Sequence, residues 1–339
     1  MKSFGIALVC ALAALGCARE TEKDPAGAAE EAAAGRIKIG IAKLVQHEAL
    51  DACEQGIQDA LIIRGFNGVS VDLQNAGGDV NTAAQIAGKF KNDGVDVAVG
   101  IATTMAVALA EVLRDTPVVF SAVTDPVGAR LVSSLDGGEG NVTGLSDAIP
   151  TAEHLRLFQE IAGIKTLGYI YTGSEDNSIS SLALVEEACR DYGITLVSQA
   201  INGSAELRAA AQDLVSRVDG VYLTTDNTVF AALPALVEVF REAKKPVFSA
   251  DVTGAMNGGC LAASGFNYYK AGIATGNIVA DILEGKRPGD IPVKFLTDPA
   301  ETDLLFDLDE AANCGIVIPE RYLDEANYLI KDGELIQMR

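Results

Sequence analysis

Polar residues in this chain collect where short apolar runs stop. Gln46 and His47 follow the run Ile37 to Ala42, Asn75 follows Val69 to Leu73, and Thr103 and Thr104 follow Val95 to Ile101. Thr124 and Asp125 end the stretch Pro117-Val-Val-Phe-Ser-Ala-Val-Thr-Asp-Pro-Val127. A second series repeats the arrangement with Glu175, Asn177 and Ser178, then Asp226 and Asn227, then Asp251. Hydroxyls and amides at helix starts suit a carboxylate, because free backbone N–H groups and the helix dipole favour an anion there. Thr103, Thr104 and Ser178 fit that task. An ammonium asks for a carboxylate, and Asp226 is the residue expected to meet it, with Glu175 and Asp251 next. Aromatic residues flank these positions (Phe120, Tyr171, Tyr222, Phe248, Tyr268 and Tyr269) and offer surface for an apolar side chain. Together the groups predict capture of a small zwitterion or polar organic molecule. Taken singly, most read equally as caps or turns; Asp125, just before Pro126, suits an Asx turn.

Catalytic machinery is not readable. The strand-to-helix turns carry no G-x-G-x-x-G and no G-x-x-x-x-G-K-[ST], which leaves no ordinary cradle for a dinucleotide or a triphosphate. The two histidines, His47 and His154, are far apart and lack zinc-site spacing, so neither a metal nor a cofactor is expected. His154 reads as a partly exposed helix residue. His47 stands at the edge of a crevice, either touching a ligand or bonding its own turn. A hydrolase built on Asp125 and His47 is a remote alternative. The net charge of -21 comes without a basic cluster, so nucleic acid is not an expected partner. Cys53, Cys189, Cys260 and Cys314 lack paired spacing and read as small buried hydrophobes, with a disulfide left open.

The elements that would hold these residues alternate strand and helix with short connections. This implies an α/β fold with parallel sheets and right-handed crossovers. A helix spans Glu48 to Ile63 on the stripe Leu50, Cys53, Ile57 and Leu61; Asp79 caps the next, and Thr103 or Thr104 starts a third. The pattern restarts at Thr166, with one long helix expected from Thr228 to Ala243. Two Rossmann-like lobes joined by a hinge summarise this: residues 36–148 with about 267–297 in lobe 1, and residues 149–266 with about 298–339 in lobe 2. The tail beyond the last strand is expected to pack back across both lobes.

The amino terminus reads as an export signal. Lys2 precedes the apolar run Phe4 to Leu15, too short to span a bilayer, and Ala14-Leu15-Gly16-Cys17 resembles a lipobox. Residues 1–17 are therefore expected to be a lipoprotein signal peptide ending at a lipidated Cys17. Residues 18–35 are acidic and alanine-rich, a tether that cannot bury a core. The expected location is periplasmic or extracytoplasmic, at a membrane surface.

From Arg36 to Ala326 the motifs Gln46-His-Glu-Ala-Leu-Asp51, Asn75-Ala76, Gly100-Ile-Ala-Thr-Thr104, Pro117 to Val127, Asn141-Val-Thr-Gly-Leu-Ser146, Asp226-Asn-Thr228 and Gly265-Phe-Asn-Tyr-Tyr269 occur in order. In these the chain resembles the substrate-binding proteins of ABC transporters in the tryptophan/tyrosine-binding group. The resemblance implies the type I periplasmic binding fold and a ligand, most often an aromatic amino acid, held between lobes and passed to an inner-membrane permease. It places Thr103, Thr104, Thr124, Glu175, Asn177, Ser178, Asp226 and Asn227 at matching positions. Thr104 stands where the family often has Pro, and Asn267 where Asp is common, both of which bear on pocket polarity. A monomer without catalysis is expected, with a ligand-sensing module for a chemoreceptor or sensor kinase as the alternative function.

Overall fold

The computed structural model describes residues 37–137, 140–296 and 302–338; the expected signal peptide, Cys17 and the expected tether lie outside the described residues. The first sheet takes β1 (Lys38–Lys43), β2 (Ser70–Asn75), β3 (Val97–Ile101), β4 (Val118–Ser121) and β5 (Val142–Ser146), plus the late strand β11 (Lys294–Phe295). Its order is β11-β5-β4-β3-β1-β2, and every pairing is parallel. β3 and β4 have no exposed residue, as runs of Val, Ile and Phe covered on both faces require.

The second sheet takes β6 (Thr166–Thr172), β7 (Thr195–Ile201), β8 (Gly220–Leu223), β9 (Val247–Ser249), β10 (Ala262–Phe266), β12 (Thr302–Asp307), β13 (Tyr328–Lys331) and β14 (Glu334–Gln337), in the order β14-β13-β12-β10-β9-β8-β6-β7. It is parallel except where β12 runs against β10 and β14 against β13. The tail therefore does not lie across both lobes. It adds three strands to the second sheet, and Ala311, Ile318 and Ala326 enter that lobe's core. Separate clusters of buried residues fill the first lobe and the two faces of the second sheet.

Helix α1 (Glu48–Ile63) buries Leu50, Cys53, Ile57 and Leu61, the stripe its sequence shows. α2 (Val80–Asp93) begins at Asp79, whose side chain accepts the Thr82 amide. The long helix expected from Thr228 is in fact two, α7 (Asn227–Phe230) and α8 (Leu233–Glu242). Pro234 sits in the first turn of α8, where its missing N–H costs nothing; continuing the upstream helix through it would cost roughly 3 kcal/mol.

The helix α10 (Tyr268–Leu283) follows β10 directly and packs along α1. Their contact is made by glycines: a Cβ on Gly272 would fall 2.1 Å from the Cys53 carbonyl oxygen, and one on Gly56 would fall 2.3 Å from that of Tyr269. Backbone thus meets backbone, and α10 is keyed to the first lobe although it follows a second-lobe strand in sequence. The chain passes between the lobes after Ser146 and after Phe266, and once more between β11 and β12.

Candidate functional site

The carboxyl ends of the strands of both sheets meet across a cleft, where an open α/β sheet presents its ligand-binding crevice. Within it lies a chamber of about 10 Å³ lined by His47, Leu50, Ala122, Asp147, Thr225, Asn227, Phe230, Asp251 and Tyr268. The lobes touch around it. His47 Nε2 lies 3.5 Å from Asn227 Oδ1, and the hydroxyls of Thr124 and Thr225 are 3.1 Å apart. Further out, Ser180 donates to Asp125 at 3.2 Å, and Asn257 donates to both carboxylate oxygens of Glu48 at 2.8 and 3.0 Å. Asp125 also accepts the Gly128 amide, the turn bond that its place before Pro126 predicts.

Two carboxylates face the chamber. Asp147, only 3% exposed, accepts from the Thr124 hydroxyl and from the Tyr268 hydroxyl, each at 3.0 Å. Burial pushes its carboxyl above the usual carboxylate range, against the pull of those two hydrogen bonds. Asp251 caps the short helix α9 (Val252–Ala255) by accepting the Thr253 amide, and burial pushes it up to about 6. No lysine or arginine lines the chamber. Asp147 was not singled out by sequence, although it directly follows β5 as the other site residues follow their strands. Phe230 and Tyr268 supply the aromatic surface.

Several residues expected at the ligand are turned elsewhere. Asp226, 1% exposed, spends its carboxylate inside the second lobe on the Thr172 amide and hydroxyl, the Ser178 hydroxyl and the Val229 amide. Burial, and after it the charge of Glu175, raise its pKa. Glu175 accepts the amides of Asn227 and Thr228 and both their side chains, so it caps α7. These two carboxylates and Ser178 hold the strand ends in place behind Asn227, whose side chain reaches the chamber. Asn177 donates to the Thr225 carbonyl, while its Oδ1 is buried and lacks a hydrogen-bond partner among the described residues. Asn75 is exposed and accepts the Gly77 amide in its own turn. Gln46 lies at the outer edge of the cleft.

The start of helix α3 (Thr103–Val112) has unusual backbone. Its N-cap, Ala102, has φ 77 and ψ 153, a region that glycine normally occupies, and Ala122 at the end of β4 has φ 54. Strain of this kind gathers at binding sites, at a cost of about 1–3 kcal/mol per residue. The Thr103 hydroxyl, buried here, has no hydrogen-bond partner among the described residues, and neither threonine serves as the cap. Thr104 lines a separate opening of about 170 Å³ on one edge of the cleft, with Ser174, Glu175 and Thr228.

His154 is not partly exposed. It is 3% exposed beneath the second sheet, with Nδ1 3.0 Å from the Tyr222 hydroxyl, and burial drops its pKa to about 3. Phe120, Tyr222 and Phe248 are core residues that do not reach the cleft, and the exposed Tyr269 donates to Asp59 on α1. The four described cysteines are free. Among the described residues no group of three or more His, Cys, Asp or Glu is placed to hold a metal ion.

Two α/β lobes with a polar chamber between facing strand ends define a solute-binding protein of the type I periplasmic class. Residues 38–330 match the family described as ABC transporter substrate binding protein, and the chain belongs to it. A tyrosine-binding protein of Clostridioides difficile is 35% identical over 275 residues, 80% of this chain and 79% of that one. An ABC domain from Streptococcus pneumonia solved with L-Trp superposes with TM-score 0.83 at 33% identity, covering 87% of this chain and 99% of that one. A ligand-free, open substrate-binding protein with adhesive properties from Clostridium difficile reaches 0.63 at 36% identity, covering 84% and 96%. The present chain thus superposes more closely on the structure solved with L-Trp than on the ligand-free, open one.

Proposed function

We propose that this chain is the extracytoplasmic receptor of an ABC importer and captures an aromatic amino acid between its lobes. The observation that carries this is the chamber, where two buried carboxylates face the rings of Phe230 and Tyr268 without a lysine or arginine. The ligand's ammonium goes to Asp147 and Asp251. Its carboxylate goes to the start of α3, where the first amides lack intrahelical acceptors and the Thr103 hydroxyl is unpartnered among the described residues. Its ring packs on Phe230 and Tyr268. Relatives that bind tyrosine and tryptophan support the ligand class. Residues 36–148 with about 267–297, and 149–266 with about 298–339, move as two bodies that close on the ligand, and the closed form docks on the permease. Cleavage before Cys17 and its lipidation anchor the protein, with residues 18–35 as the leash.

A thermal-shift screen against the twenty amino acids tests the ligand reading. A ligand at a hundred times its Kd adds about 2.7 kcal/mol to folding stability, which moves Tm by several degrees. Tyrosine, tryptophan or phenylalanine should give the largest rise. If none of the twenty moves Tm while another metabolite does, the amino-acid reading is wrong and only the clamp stands.

A further inference from the structure

The cleft holds more space than the chamber. Beyond His47, Phe230 and Asp251, which line both, opens a vestibule of about 440 Å³ between the start of α1 and the helices α8 and α9. The lobes are already latched at its rim by the Asn257 to Glu48 hydrogen bonds. The chamber is about the size of one water, which needs roughly 10–15 Å³, whereas the vestibule beside it is far larger. A space of that size opening directly off the chamber is room for part of a ligand.

Its walls say which part. Phe230, Ala231, Leu233, Pro234 and Val237 make an apolar side. Besides Asp251, which it shares with the chamber, the acidic residues and the arginine that border it are engaged: Arg241 with Glu310, Glu238 with Arg208, and Glu48 with Asn257. Resting on the reading that an amino acid's ammonium lies in the chamber, we infer that the vestibule is a second subsite. It receives neutral, apolar groups that extend beyond the aromatic ring of the ligand's side chain. The substrate class is thereby amino acids with long aromatic side chains, including those enlarged at the far end of the ring.

Isothermal titration of the full folded protein with L-tyrosine and O-benzyl-L-tyrosine tests this. The wild-type protein should bind both within about tenfold of each other. Ala231→Trp and, on an independent wall position, Pro234→Trp fill the vestibule; each should weaken O-benzyl-L-tyrosine at least tenfold and change L-tyrosine less than threefold. Wild-type protein that binds tyrosine and rejects the benzyl ether overturns the subsite while leaving the amino-acid reading intact. Equal losses for both ligands in the two folded variants also overturn it, because tyrosine itself would then occupy the vestibule. Failure of wild-type protein to bind either ligand overturns the subsite for tyrosine-type side chains, and the amino-acid reading falls as well only if none of the twenty amino acids moves Tm.

Discussion

Replacing Asp251 by Asn should make the empty protein more stable and the receptor worse. The side chain is 2% exposed and its carboxyl is pushed to about 6 by burial. At neutral pH the fold therefore carries a charge that it would rather not have. Each tenfold change in acidity corresponds to about 1.4 kcal/mol, so the displacement from 3.8 sets a ceiling of about 3 kcal/mol on that penalty. Asn keeps the cap on α9, because its side-chain oxygen can accept the Thr253 amide as Asp251 does at 2.8 Å. The sign follows from proton binding. Between about pH 4 and 6 the folded state holds a proton that the unfolded chain has released, so wild-type stability falls as pH rises through that window. Below it both states are protonated and the penalty vanishes. Melting curves of ligand-free Asp251→Asn should thus match wild type near pH 4 and exceed it by several degrees at pH 7, while titration with an amino acid shows weaker binding. A variant equally destabilised at both pH values would show that the carboxylate acts as a cap alone, and the argument from buried charge would fail.

Asp147→Asn removes the other negative charge of the chamber and can no longer accept from both Thr124 and Tyr268; a hydrogen bond to a charged group contributes about 1.5–3 kcal/mol, so affinity by titration should drop roughly ten- to hundredfold. Asp226→Asn, by contrast, should act on folding: its oxygens accept two amides and two hydroxyls within the lobe, so the loss should appear in chemical denaturation before it appears in ligand affinity corrected for the folded fraction. His154 stays neutral down to about pH 3 while an unfolded histidine takes a proton near 6.5, so stability falls as pH drops below that value, and His154→Leu should flatten this acid limb in Tm measurements. Gly272→Ala places a methyl against the Cys53 carbonyl and should cost about 1–3 kcal/mol by urea denaturation.

The alternation of strand and helix was readable because buried parallel strands must be continuous apolar runs and amphipathic helices must repeat every three to four residues. The bounds Glu48–Ile63 follow from the stripe alone. The tail was misread for a different reason. Asp332-Gly333, with φ of 54° and 77°, joins β13 to β14 as a two-residue hairpin whose Asp-Gly signal stood in the sequence, but its strands are short and mostly exposed. Strand-end position brings His47, Asn227 and Asp251 to the chamber and leaves Asp226 and Glu175 bonded within the second lobe. Position along a strand does not fix which way a carboxylate rotates, and Asp226 and Glu175 find backbone amides nearer than the cleft. Asp147 obeyed the same strand-end rule and was overlooked in the turn before Pro150. Phe230 was hidden inside what reads as one continuous helix until Pro234 breaks it.

The glycine contact between α1 and α10 bears on the order of events when a ligand arrives. Tyr268, the first residue of α10, belongs to the core of the first lobe and holds Asp147 there with Thr124. Any swing of the second lobe must be absorbed at Asn267, the one residue between Phe266 and Tyr268, and at the other crossings, because α10 meets α1 backbone to backbone at Gly56 and Gly272. Half of the chamber is accordingly assembled before the lobes meet. Under the proposed function, an incoming amine would find Asp147, Thr124 and Tyr268 already in register, and the arrival of Asp251 and Asn227 would then act on how long it stays. Under that proposal the first lobe would govern the rate of capture and the second the rate of release.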